Sequence, residues 1–486
     1  MELKRSVVKG VAWSTVEKVC SALLQLAVSL VLLSLLSPDD YGIIAIVTAI
    51  IGILMPLVDS GFSQALIRKK EIDKADYSSV FYLNMAVALG LYAILVALSP
   101  FISEYYDSPV LLEVIPVLAL LMPINALSII QNTIFSRDIN FKRLSIYTLT
   151  GSVVSSAVAI WMALSGYGVW SLVAQRLIMI VTKTVLLWVF STWRPSLTFS
   201  WNSIKGMFSY GSRILLSDII TNVYYQISSL FIGKVYSVQD LGYYDRGNKI
   251  KELPVTSMII SVMNVSFSAL SRMQEEVERM YNAARKIFIV WVFVMFPMML
   301  GIITVAEDMF RFLLPEIWLP SVPYLQILCV AGLFSPLSVV SYVLVKVKSD
   351  GTLIFRIELI KKAVATLILL GTIPISIKAI AWGQVAIFLS DMLVNAITAR
   401  HFVSSWTIWS KIKDALPYML LTAVMSGVIL LIGCLAVSWS AGWILLAKVV
   451  AGLVVYIGLA QLFKLTAWQE IKEILKGYYR KRLSNR

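Results

Sequence analysis

Roughly fourteen stretches of about twenty mainly apolar residues, each closed by a short polar break, occupy this chain almost from end to end. As a helix, a stretch of that length spans about 30 Å, the thickness of a bilayer's hydrocarbon core. The composition points the same way, with 59% hydrophobic and 14% charged residues. Soluble domains are nearer half apolar and a quarter charged. Lipid must therefore be the solvent for most of the chain, and no length is left over for a soluble catalytic domain. The runs are also too long and too continuous for β-barrel strands. The expected fold is an all-α polytopic membrane protein with about 14 transmembrane helices.

The breaks repeat. Ser37-Pro38-Asp39-Asp40-Tyr41-Gly42 returns as Ser237-Val238-Gln239-Asp240-Leu241-Gly242, with Ser, Asp and Gly matched at an offset of 200 residues. Met122-Pro123 in one run corresponds to Ser335-Pro336 in another, and the offset of 213 also pairs Arg143 with Arg356. Two halves with the same order of runs and breaks predict an internal duplication, the usual build of a secondary transporter. The expected division is a first bundle at 1–192, a linker at 193–204, a second bundle at 205–404, two further spans at 405–464 and a basic amphipathic tail at 465–486.

A net charge of +14 would suggest nucleic acid in a soluble protein. Here it fits basic residues that hold loops on the cytoplasmic side, so no nucleic-acid partner is expected. With the N-terminus inside, about 31 of the Lys and Arg residues fall on that side and about four on the other. Both termini are then cytoplasmic, and the tail (Lys472, Lys476, Arg480, Lys481, Arg482) lies either on anionic lipid or free in water. Cys20, Cys329 and Cys434 sit in apolar runs without disulfide or metal spacing and read as small buried hydrophobes. The single histidine, His401, and the lack of a phosphate-binding glycine loop leave no metal site and no catalytic constellation. The chain does not read as an enzyme.

Function is better sought in ionisable groups within the spans, each of which costs about 3 kcal/mol to insert and so faces a cavity or a partner. Ser14, Glu17, Ser21, Gln25 and Ser29 make a polar stripe on the first helix by i+3/i+4 spacing. Alternatively, Glu17 and Lys18 sit at the headgroups with Lys18 snorkelling. The seventh run carries Arg213, Ser217, Asp218, Thr221, Asn222 and Tyr225, either as a cavity face or as an Arg213–Asp218 pair that packs the helix. The eighth opens with Asp245, Arg246, Lys249 and Lys251. Asp245 and Lys249 are spaced for an i,i+4 ion pair, whereas Arg246 with Lys249 suits a diphosphate. Arg176 and Lys183 share a face of the sixth run. Asp59, Glu358 and Asp391 read as isolated acids near helix ends, and Pro56, Pro254, Pro297 and Pro336 as kink positions.

Several stretches together resemble the polysaccharide-exporting (Wzx-type) branch of the multidrug/oligosaccharidyl-lipid/polysaccharide flippase superfamily. They are Gly10-Val11-Ala12-Trp13-Ser14, the Ser37–Gly42 break, Asp59-Ser60-Gly61-Phe62, Asp240-Leu241-Gly242-Tyr243-Tyr244-Asp245-Arg246, Ser266–Arg272 and Trp318–Leu325. Pro315-Glu316-Ile317-Trp318 and Lys348-Ser349-Asp350-Gly351 depart from the family pattern. The resemblance is closest to colanic-acid-exporter-like members. It implies two pseudo-symmetric six-helix bundles around a central cavity plus two extra C-terminal helices, in a bacterial inner membrane.

The implied activity is alternating-access export of an undecaprenyl-diphosphate-linked oligosaccharide for O-antigen, capsule or related lipopolysaccharide surface glycan. A polysaccharide polymerase and a chain-length regulator are the implied protein partners, and membrane lipids surround the chain. On this view Lys18, Arg176, Arg213, Arg246 and Lys249 make the cavity cationic for the diphosphate. Glu17, Gln25, Asp218, Asn222, Tyr224 and Tyr225 line it toward sugar. No cofactor is implied beyond a coupling H+ or Na+, for which Glu17, Asp59, Asp218 and Asp391 are the candidate acids. The alternatives are a multidrug exporter of the same superfamily, which would favour acidic cavity residues, and a glycan polymerase or ligase, which would need a larger outer loop.

Overall fold

The computed structural model describes residues 2–69, 72–138, 140–349, 351–435 and 439–473, and these are helical with no strand among them. By compactness the chain divides into Met1–Asp245 and Arg246–Arg486. The first unit holds α1 (Glu2–Leu35), α2 (Pro38–Asp59), α3 (Phe62–Arg68), α4 (Lys74–Tyr105), α5 (Val110–Ala119), α6 (Leu121–Arg137), α7 (Phe141–Leu164), α8 (Val169–Phe190), α9 (Trp201–Val235) and the start of α10 (Val238–Ser271). The second holds the rest of α10, then α11 (Val277–Leu313), α12 (Ser321–Gly332), α13 (Ser335–Lys348), α14 (Gly351–Thr372), α15 (Ile377–Phe402), α16 (Ile408–Leu435) and α17 (Ala441–Leu462).

The chain is a multi-pass membrane protein. Ten helical stretches are long and apolar enough to cross a bilayer, with α2–α3, α5–α6 and α12–α13 each forming one broken span. The other long helices, α1, α9, α10 and α14, are the ones whose apolar runs are interrupted by charge. Those four carry Glu17, Lys18, Arg213, Asp218, Arg246, Lys249 and Glu358.

Both sequence echoes have a structural counterpart. Ser37 caps α2: its Oγ accepts from the Asp40 amide at 3.2 Å, and Asp40 accepts from the Ser37 amide at 2.9 Å. Ser237 accepts from the Asp240 amide at 3.0 Å at the start of α10. The two glycines of the motif explain why it needs them. A Cβ on Gly42 would lie 1.9 Å from the Val238 carbonyl oxygen, and one on Gly242 would lie 2.0 Å from the Pro38 carbonyl oxygen. The first turns of α2 and α10 thus cross backbone to backbone, each glycine receiving the other repeat's first helical residue. The second echo marks the breaks at Leu120, between α5 and α6, and at Leu333–Phe334, between α12 and α13.

Prolines explain less than expected. Pro56, Pro254 and Pro297 lie inside uninterrupted α2, α10 and α11. The second span breaks instead at Ser60 and Gly61, both left-handed, with φ of 52° and 69°. A Cβ on Gly61 would meet the Gly211 carbonyl oxygen of α9 at 2.3 Å. This contact, together with Ile204 and Met207 buried among Phe62, Leu66, Phe81 and Ile130, makes α9 part of the first compact unit. Segment 191–200 is itself pinned: Arg194 donates to the Trp188 and Ser191 carbonyls, and the Ser200 amide donates to Ser79 Oγ at 2.7 Å. Tyr106, just past α4, donates to the Leu230 carbonyl of α9 at 3.2 Å, and burial pushes its hydroxyl up to about 12.

One further expectation needs correction. Only Cys329 is buried; Cys20 and Cys434 are exposed, on faces of α1 and α16 that an apolar sequence turns toward lipid. The start of the tail, as far as residue 473, is described and packs on the second unit. The Ala467 amide donates to the Tyr418 hydroxyl at 3.2 Å, Glu470 pairs with Lys286 at 2.5 Å, and Trp468 packs on Phe293. Lys476, Arg480, Lys481 and Arg482 lie outside the described residues.

Candidate functional site

In the first unit the α1 stripe is described from Glu17 to Ser29, and the Ser14 side chain lies outside the described residues. Ser21 donates to Glu17 at 3.4 Å; Lys18 and Gln25 are exposed, and Ser29 is half-buried. Lys183 of α8 lies within electrostatic reach of Glu17. Arg176, two turns earlier on α8, is deep among protein atoms yet solvent-accessible, the combination expected of a cavity-lining side chain. The charges nearest to it are Asp245 and the Tyr41 hydroxyl. Asp245 therefore faces Arg176, and Lys249 stands exposed with no ion pair among the described residues.

The Arg213–Asp218 packing pair does not form. Five residues apart, the two lie about 140° around a helix, and both side chains are exposed. Asp218 instead lies within electrostatic reach of Asp59, whose carboxylate accepts a hydrogen bond from Ser63. Asn222 spends an amide hydrogen on the Asp218 carbonyl at 2.8 Å, Tyr225 is exposed and Tyr224 half-buried.

In the second unit Arg246 is buried and Lys249 is open, so the two neighbours occupy different environments. Glu358 and Asp391 are not isolated acids. Glu358 pairs with buried Lys361 at 2.5 Å, and Asp391, midway along α15, lies in the field of Lys361 and Lys362. Buried lysines are the groups that sequence reasoning missed. Lys411 of α16 pairs with Asp414 at 2.6 Å inside a cage of Trp406, Tyr281 and Phe288 rings, and Arg285 of α11 takes the same carboxylate at 2.6 Å. Lys448 of α17 pairs with Asp308 of α11. Lys411 and Asp414 are three residues apart, so that pair is local, but nothing local names Arg285 or Asp308, partners more than a hundred residues away. Among the described residues no cluster of His, Cys, Asp and Glu could hold a metal ion.

The family profile described as "Polysaccharide biosynthesis protein" matches residues 31–323, more than half of the chain. The chain belongs to the polysaccharide biosynthesis protein family. This family member is similar to the succinoglycan biosynthesis transport protein ExoT of Rhizobium meliloti, 24% identical over 417 residues that cover 85% of this chain and 82% of that one. It is also similar to the teichuronic acid biosynthesis protein TuaB of Bacillus subtilis, 22% identical over 68% of this chain and 69% of the relative. In structure it matches the lipid II flippase MurJ in an inward closed conformation, with a TM-score of 0.73, 13% identity, and coverage of 94% of this chain and 98% of that one. The all-α polytopic fold is therefore one that this chain shares with that structure.

Proposed function

We propose that this flippase-family protein carries an undecaprenyl-diphosphate-linked oligosaccharide from the inner to the outer leaflet of a bacterial inner membrane by alternating access, with both termini in the cytoplasm. The observation that carries this reading is Arg176, a deep, accessible guanidinium on a spanning helix. A cation there needs an anion to face it, which Asp245 supplies in part, and a planar guanidinium also suits a diphosphate's paired oxygens. Lys18 and Arg213, both exposed in the same unit, would add to the attraction, and the second unit offers an exposed cation of its own at Lys249. Gln25, Asn222 and Tyr225 offer amides and a ring face to sugar. Asp59 and Asp218, two acids within reach of each other, are the pair we assign to H+ or Na+ coupling.

The test is deletion in the native host, followed by analysis of lipid-linked intermediates and surface glycan. The expected outcome is loss of surface glycan with single repeat units retained on the inner leaflet. Complementation with Arg176→Gln should restore less than a tenth of export, a loss of roughly 1.4 kcal/mol or more. Single units found on the outer leaflet would favour a polymerase instead. Normal glycan with raised drug sensitivity would favour a multidrug exporter.

A further inference from the structure

Lys251 is 8% exposed in the second unit, two residues beyond Lys249 on α10. Gly247, Lys251 and Val255 form one buried face, which crosses α12 closely. A Cβ on Gly247 would lie 2.8 Å from the Leu325 amide nitrogen, and one on Gly332 would lie 3.3 Å from Val255. Between those contacts Lys251 faces Cys329, and its ammonium sits 5.6 Å from the Phe388 ring centroid of α15. It has no hydrogen bond and no ion pair among the described residues. Asp391, one turn along α15 from Phe388, lies in the field of Lys361 and Lys362 instead.

The other buried lysines of this unit, Lys361, Lys411 and Lys448, each have a carboxylate. Lys251 has an aromatic ring and a thiol. A buried ammonium without a counter-charge is a poor stabiliser, and its field is not cancelled locally. In a low-dielectric interior that field extends to the nearest open surface, and salt screens it poorly. On α10 the open surface is the side that carries Lys249.

We propose that Lys251 is a positioning residue for an anionic ligand: a buried, uncompensated charge that raises the potential on the open face of α10, where Lys249 meets a prenyl diphosphate. This rests on the diphosphate reading above. Lys251 touches no ligand. Lys249 supplies an exposed, salt-screened attraction, and Lys251 supplies one that persists at high salt.

The experiment is titration of the purified full-length protein in detergent with farnesyl diphosphate, followed by tryptophan fluorescence at low and high salt. For charges about 10 Å apart, Lys251→Met is expected to weaken binding about tenfold. The loss should persist at high salt, with a thermal midpoint equal to or above that of the parent. Lys251→Gln should show the same loss, and Lys251→Arg should restore affinity. Lys249→Gln should weaken binding chiefly at low salt. If Lys251→Met and Lys251→Gln bind as the parent does while Lys249→Gln is impaired, the inference fails and the diphosphate reading stands. If the parent itself does not bind farnesyl diphosphate, both fall.

Discussion

Asp414 is shared. It receives the fully buried Lys411 at 2.6 Å and Arg285 at 2.6 Å, so removing it strands two cations at once. Asp414→Ala is expected to cost about 3–5 kcal/mol, the penalty of leaving a buried charge uncompensated. Lys411→Met leaves Asp414 with Arg285, fills the aromatic cage with an apolar chain, and should cost well under half as much. Thermal unfolding in detergent would rank the two, and an equal loss would contradict the shared-carboxylate account. At this scale the sequence was informative where the signal was local. The Glu17–Ser21 face could be read from i+4 spacing, and the structure joins those two side chains. Lys411 and Asp414 are also three apart, but the burial of Lys411 and the Lys448–Asp308 pair depend on α11 approaching from a distant part of the chain. The Arg213–Asp218 pair failed for a local reason, since their spacing places them on different sides of α9.

Helix ends were more legible than helix interiors. Ser37 and Ser237 cap their helices at the two matched breaks, and a cap of this kind depends on residues three apart and needs no tertiary information. The paired breaks at Leu120 and Leu333–Phe334 likewise fall beside the matched prolines. Pro56 lies inside α2, and the break that the sequence did not signal is the left-handed turn at Ser60 and Gly61, where Gly211 comes close to Gly61. The glycines give a graded test of such approaches. Gly42→Ala and Gly242→Ala each place a methyl about 2 Å from a carbonyl oxygen, and each should destabilise by about 1–3 kcal/mol. Gly90→Ala and Gly206→Ala meet nothing within 4 Å and should stabilise their helices by about 0.5–1 kcal/mol. Thermal midpoints of the four variants would decide, and a Gly42→Ala protein as stable as Gly90→Ala would rule out the backbone crossing.

For the molecule as a whole, α16 and α17 are more than an appendix to the second unit. The Arg285–Asp414–Lys411 cluster ties the first turn of α16 to α11, Lys448–Asp308 ties α17 to the far part of α11, and the Tyr456 hydroxyl donates to the Phe293 carbonyl at 2.8 Å between them. A chain ending after Phe402 would leave Asp308 and Arg285 without partners, so it should aggregate or elute as a heterogeneous species in size-exclusion chromatography. A monodisperse truncated protein with a parental melting point would show that these contacts carry no stability. The sequence counted these two spans correctly, but composition alone gave no reason to regard them as structural.

The crossing of α2 and α10 has a consequence for how such a chain can have arisen. Gly42 meets Val238 and Gly242 meets Pro38, so the same short motif supplies both sides of one contact. That is the geometry of an isologous interface, in which a surface patch is its own complement. A single ancestral half would have needed only one copy of the motif to pair with a second molecule of itself. Fusion of the two halves would then have required no new interface at this point. After fusion, neither glycine could be replaced without a compensating change in the other copy, so the two breaks remain alike while the runs between them diverge.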